Sequence, residues 1–163
     1  MTDHFRLDDP AATERAGGAI AQAARGGMVI ALHGELGAGK TTLVRGGLRA
    51  QGWAGPVKSP TYTLVEHYPI SSLYFYHFDF YRFADPDEWE TAGLAECFRD
   101  DSVCLVEWPE RLGELLPQPD LDVVLAMPAD GIGRVLALHA QTPAGQRCVT
   151  AVRALGFPLA IVT

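Results

Sequence analysis

Residues 28–50 read MVIALHGELGAGKTTLVRGGLRA, and this stretch decides the fold class. Met28 to Leu32 is a short apolar run with the length and residue types of a buried strand. The turn that follows, Gly34-Glu35-Leu36-Gly37-Ala38-Gly39-Lys40-Thr41, fits G-x-x-x-x-G-K-[ST] in full. Its glycines permit backbone angles and a close approach that a side chain would block. Successive N–H groups can then face inward as an anion nest, and a helix opening at Lys40 adds the partial positive charge of its N-terminus. In such a loop Lys40 reaches the β- and γ-phosphates of a nucleotide and the Thr41 hydroxyl ligates Mg²⁺. The alternative, a plain glycine turn, would need neither the lysine nor the strand and helix that flank it. Residues 40–50 predict that helix, although Gly46 and Gly47 weaken it.

Working outward, Asp8, Asp9 and Pro10 look like a helix start, and Ala12, Ala16, Ile20 and Ala23 recur near helical spacing before Gly26-Gly27 stops the helix. Residues 52–61 read as a loop. Thr61 to Tyr68 reads as a strand ended by Pro69, and the aromatic run Leu73 to Phe80 as another. A short acidic helix is expected over residues 86–98, and a buried strand over Val103 to Val106 that ends at Glu107. Pro109 to Leu116 predicts a helical turn. Asp120 to Met127 and Arg134 to Gln141 predict a hairpin, and residues 143–155 a closing helix. No repeat or linker divides the chain, so residues 1–163 are expected to form a single domain. The expected class is α/β, with a sheet that is parallel around the glycine loop and carries antiparallel additions.

Magnesium in such a site needs a second anchor, usually an acidic residue at the end of an apolar strand. Glu107 after VCLV and Asp79 after YFYHF both qualify. Ligands of open α/β sheets sit at the carboxyl ends of strands, so both could converge on the terminal phosphate. Either could instead be an ordinary strand-end carboxylate. Asp79 could hold a metal-bound water or orient the attacking one. His77, two residues earlier, would share its face of a strand, as a site residue or as a packed core histidine. Arg82 could meet a carboxylate, a phosphate or a partner, or simply be a surface arginine. Trp108 could shield the site, contact a partner or only pack. Ser59-Pro60-Thr61 is a loop-forming string whose hydroxyls could sense a γ-phosphate, or an ordinary turn.

Composition narrows the classes further. Of 163 residues, 48% are hydrophobic and 20% charged, which excludes intrinsic disorder. The net charge of −7 makes the chain a poor free-standing binder of a phosphate backbone, so any nucleic acid is expected to be held by a basic partner. Cys97, Cys104 and Cys148 form no CxxC pair and are expected to be reduced thiols, not a disulfide frame or a zinc site. No apolar run is long enough for a membrane helix, and the polar start MTDHFRLDDP reads as neither a signal nor a transit peptide. A cytoplasmic location is the expectation.

GELGAGKTTLVRG, VKSPTYTLVE, YHFDFYR and CLVEWPER occur in this order. Together they resemble the TsaE (YjeE) family, small bacterial ATPases of tRNA threonylcarbamoyladenosine synthesis, over about residues 10–141. The resemblance implies a P-loop NTPase three-layer sandwich with a mostly parallel central sheet. It implies Mg²⁺-dependent ATP hydrolysis, weak in isolation and stimulated in a complex with TsaD and TsaB that modifies adenosine 37 of tRNA. The threonylcarbamoyl group would be transferred by the partners, and tRNA would be met only through them. The family's nucleotide-binding segment falls on Gly34 to Thr42, with its magnesium ligands on Thr41 and Glu107. Its switch-like segments fall on Ser59-Pro60-Thr61 and on His77 to Arg82. Lys40, Asp79 and Glu107 are the implied catalytic residues. Thr42 and Trp108 match positions important for function, and Arg134 is implied near the nucleotide. Phe80 stands where a leucine is expected, and the tail after Gln141 matches nothing in the family. A P-loop kinase of small molecules and a non-hydrolytic nucleotide switch are the competing readings. No lid-like insertion supports the kinase.

Overall fold

Asp9 caps the first helix as its position before Pro10 predicts. Its Oδ1 accepts the N–H of Ala12 at 2.8 Å at the start of α1 (Pro10–Ala23). Pro10 occupies the first turn, where its missing N–H removes no helical bond. The computed structural model describes residues 2–70 and 72–161. Its strands are β1 (Thr2–Leu7), β2 (Val29–His33), β3 (Val65–Ile70), β4 (Leu73–Asp79), β5 (Ser102–Glu107), β6 (Leu121–Ala126) and β7 (Arg134–Ala140). They form one seven-stranded sheet in the order β1-β7-β6-β2-β5-β4-β3. The middle strands β4, β5, β2 and β6 run parallel, and β3, β7 and β1 are added antiparallel at the sides.

α1, α2 (Lys40–Ala50) and α4 (Pro143–Arg153) pack into one core with Ile30, Leu32, Phe75, Val103, Leu105 and Val123 of the sheet. The opposite face is covered more thinly, by α3 (Glu88–Thr91), three single 3₁₀ turns and an aromatic cluster. Phe80 belongs to that cluster. It is fully buried between Phe78, stacked at 5.4 Å, and Phe83, edge-on at 5.4 Å, so the exchange for leucine is absorbed by packing.

α1 and α2 touch backbone to backbone. A Cβ on Gly17 would lie 1.9 Å from the Leu43 carbonyl oxygen, and one on Gly46 would lie 2.1 Å from that of Glu14. Gly46, read from sequence only as a weakness in the helix, is what allows this crossing.

Three expectations need correction. The acidic helix over 86–98 shrinks to α3 and a 3₁₀ turn at Ala95–Cys97, because Gly93 takes φ +69° between them. The strand expected from Thr61 begins at Val65 and continues through Pro69 to Ile70. Proline is tolerated there because β3 is an edge strand with one side free of ladder bonds. β1 was not expected at all. It is an edge strand, with only Phe5 and Leu7 buried, and the tail closes over it. The Arg6 N–H donates to the Pro158 carbonyl at 2.7 Å, and the Ala160 N–H to that of His4 at 3.1 Å.

All three cysteines are free. Burial pushes the Cys104 thiol up to about 12 and the Cys148 thiol up to about 11. Both therefore stay protonated and shielded at mildly alkaline pH, where thiolates are the reactive species. A thiol reagent such as DTNB is expected to modify only the half-buried Cys97 in the folded protein, and the other two only after denaturation. Rapid native modification of all three would contradict this packing. Among the described residues no helix is long and apolar enough to cross a membrane.

Candidate functional site

Three strand ends meet at one edge of the parallel sheet. Glu107, the last residue of β5, lies in register with Leu32 of β2 on one side and with Asp79 of β4 on the other. The glycine loop leaves β2 over this edge. Gly34 takes φ +151°, and a Cβ there would lie 2.6 Å from the Leu125 carbonyl oxygen, so both angle and space require glycine. Gly39 precedes α2 in the left-handed region, at φ +108°, and no side chain caps the helix. The free N–H groups of that first turn are left for another acceptor.

Lys40 is the first residue of α2 and is buried. Its ammonium lies 3.4 Å from Glu107 Oε1, donates to the Gly34 carbonyl and sits 5.4 Å from the Trp108 ring centre. Glu107 Oε2 meets His77 Nε2 at 2.7 Å. His77 is wholly buried, and its Nδ1 has no partner among the described residues. Burial pushes the Glu107 carboxyl up, but the hydrogen bond and charge of His77, and then the Lys40 ammonium, outweigh it and hold the group below the usual carboxylate range. The carboxylate therefore stays ionised although it is buried.

Asp79 is also buried, and both of its oxygens are occupied. Oδ1 accepts the N–H of Tyr81 at 2.9 Å, and Oδ2 accepts the Thr61 hydroxyl at 3.2 Å. The Ser59 and Thr61 hydroxyls lie 2.8 Å apart. The Ser-Pro-Thr loop is thus tied to the strand end that carries Asp79. Trp108 adopts φ +56°, a strained value for a bulky residue, and its ring packs 5.0 Å from Tyr81. Arg82 is exposed and stacks over Tyr62 at 4.6 Å, and among the described residues no carboxylate pairs with it.

A cavity of about 640 Å³ gathers these groups. Glu35, Leu36, Gly37, Gly39, Lys40, Thr41 and Thr42 line it from the loop and α2. Ser59, Thr61, Asp79, Arg82, Glu107 and Trp108 line it from across. A second cavity of about 550 Å³ adjoins the same loop, including Gly34 and Ala38, and reaches Val124 and Met127. Arg134 lines neither. It grips the loop by its carbonyls, with Nε donating to Ala38 at 2.9 Å and Nη2 to Gly37 at 3.1 Å. These two bonds brace the loop from a residue outside the cavity lining. The Thr41 hydroxyl and the Glu107 carboxylate provide an all-oxygen pair of the kind magnesium takes alongside phosphate oxygens and water.

Sequence reasoning had brought most of these residues forward. It did not find the His77–Glu107 bond. The His-x-Asp spacing puts His77 and Asp79 on one face, but only the register of β4 against β5 shows that Glu107 lies within reach of both. Tyr62 and Tyr81, which partner Arg82 and Trp108, were not singled out either.

The family model described as "Threonylcarbamoyl adenosine biosynthesis protein TsaE" matches residues 7–135. A Haemophilus influenzae protein named tRNA threonylcarbamoyladenosine biosynthesis protein TsaE is 48% identical over 124 residues, covering 76% of this chain and 77% of its own. The Bacillus subtilis protein of the same name is 40% identical over 126 residues, covering 77% and 78%. The crystal structure of Bacillus subtilis YdiB superposes with a TM-score of 0.77 at 29% identity, over 96% of this chain and 97% of that one. Fold, motif order and relatives all lead to one assignment: the chain belongs to the TsaE family.

Proposed function

We propose that this protein binds ATP with Mg²⁺ in the glycine-loop cavity and hydrolyses it as the ATPase subunit of a tRNA threonylcarbamoyladenosine complex, acting on TsaD and TsaB partners. The observation that carries the reading is the convergence of the loop, Lys40, Thr41, Asp79 and Glu107 on one cavity of about 640 Å³. The loop amides and the uncapped start of α2 receive the phosphates. Lys40 turns its ammonium from Glu107 to the β- and γ-phosphates, which frees Glu107 Oε1. Thr41 and Glu107 would hold Mg²⁺, which would supply neutralisation of the phosphate charge. Asp79 orients the attacking water, and its bond to Thr61 ties the Ser-Pro-Thr loop to the same chemistry.

Weak activity in isolation follows from the cations present. Lys40 and Arg82 are the only basic residues lining the cavity among the described residues, and Arg82 is stacked on Tyr62. Charge developing on the transferred phosphoryl group is then stabilised by a cation supplied in trans. A net charge of −7 fits a subunit that meets tRNA only through its partners.

The test is phosphate release by the purified protein, alone and then with TsaD, TsaB and tRNA. Strong stimulation in the complex is expected. Robust turnover indifferent to all three would overturn the reading and reopen a kinase or another ATPase. In the same assay Glu107→Ala is expected to lose Mg²⁺-dependent hydrolysis while nucleotide binding partly survives. Unchanged magnesium dependence would remove Glu107 from the site.

A further inference from the structure

We infer that His77 is a positioning residue for Glu107: its Nε2–H sets which carboxylate oxygen faces the nucleotide cavity. The inference rests on the proposed role of Glu107 as a metal ligand. The two side chains come from neighbouring parallel strands. Glu107 lies directly across from Asp79, with His77 one pleat behind on the same face. Asp79 is engaged elsewhere, by the Tyr81 N–H and the Thr61 hydroxyl. His77 is a donor at 2.7 Å. The bond draws Oε2 back into the sheet and leaves Oε1 toward Lys40 and the loop, where Lys40 now sits at 3.4 Å.

The other ring nitrogen supports this assignment. Nδ1 is buried and has no partner among the described residues. A histidine kept only to fill space would be replaced by an apolar ring without leaving a buried polar atom unpaired, a situation that native structures mostly avoid. Here the ring retains one unpaired nitrogen, and its single hydrogen bond goes to the carboxylate. A hydrogen on Nε2 satisfies Glu107, whose ionised carboxylate can only accept. Partners that orient a ligand in this way typically change metal affinity about 10–100-fold when removed.

The test compares His77→Gln, His77→Asn and His77→Leu in the full chain, with mant-ADP as the probe and MgCl₂ titrated. The glutamine amide extends to about the place of Nε2, whereas the asparagine amide stops near Nδ1. The half-saturating Mg²⁺ concentration for tight mant-ADP binding is expected to rise about tenfold in His77→Leu and His77→Asn and to stay near wild type in His77→Gln. Metal-free mant-ADP affinity is expected to stay within about twofold, since the loop amides and Lys40 are untouched. Melting temperatures separate this from packing, because a space-filling role predicts loss of stability with no change in magnesium dependence. That result, or a glutamine variant no better than asparagine, would overturn the inference. Should the leucine variant fail to fold, the two amide variants still decide it. If wild-type binding is itself indifferent to Mg²⁺, the metal role of Glu107 fails first, and the failure is visible before any variant is made.

Discussion

Lys40→Ala is expected to abolish ATP turnover, with phosphate release falling at least about 10²-fold even in the presence of partners, the scale of losing one preorganised charge at a reacting centre. Two effects add. The phosphates lose the only buried cation lining their cavity among the described residues. Glu107 also loses one of its two partners and keeps only His77, so an acid that was doubly held becomes freer to turn. Breaking a buried pair from one side costs stability as well, up to about 3–5 kcal/mol when nothing else compensates. The His77 bond compensates in part, so the variant is expected to fold with a lowered melting temperature. Phosphate release and mant-ADP binding, each measured below that temperature, check the prediction. Turnover equal to wild type would refute the phosphate-loop assignment altogether.

The second large effect concerns the helix that carries Lys40. Gly17→Ala would ordinarily stabilise a helix by about 1 kcal/mol. Here the added Cβ would lie 1.9 Å from the Leu43 carbonyl oxygen of α2, and the obstacle is backbone that cannot rotate away. The helices must part, and a loss of roughly 3 kcal/mol is expected. For a chain of this size that lowers the melting temperature by about 6–12 °C. Urea unfolding measures it directly, and a gain in stability would show that the two backbones are not in contact. Because α2 begins at Lys40, the same substitution is expected to weaken nucleotide binding without touching the cavity.

Most of the frame was legible because it rests on local signals. MVIAL, the glycine turn and the Asp9–Pro10 start each act within a few residues. β1 was not legible, because Thr2-Asp3-His4 and Arg6 are polar and only pairing with β7 makes Phe5 and Leu7 a buried pair. Pro69 misled for a related reason: whether proline ends a strand depends on whether a neighbour needs its N–H, and β3 has no neighbour on one side. In the site, motif spacing brought Lys40, Thr41, Asp79 and Glu107 forward, each at the end of a recognisable element. Their partnerships were hidden. His77 is 30 residues from Glu107 and Thr61 is 18 from Asp79, and no local pattern records strand register.

The grip of Arg134 on the loop carries a consequence for the order in which the protein is made. Ala38 leaves the ribosome 96 residues ahead of the arginine that will hold its carbonyl. Arg134 opens β7, the same strand that β1 must wait for, since Leu7 faces Arg134 across the ladder. The loop, α2, β4 and β5 can meet early, but the brace behind the loop and the closing of the sheet edge come from one late strand. A nascent chain that stops short of β7 would therefore hold the glycine motif in full and lack the clamp on its Gly37 and Ala38 carbonyls.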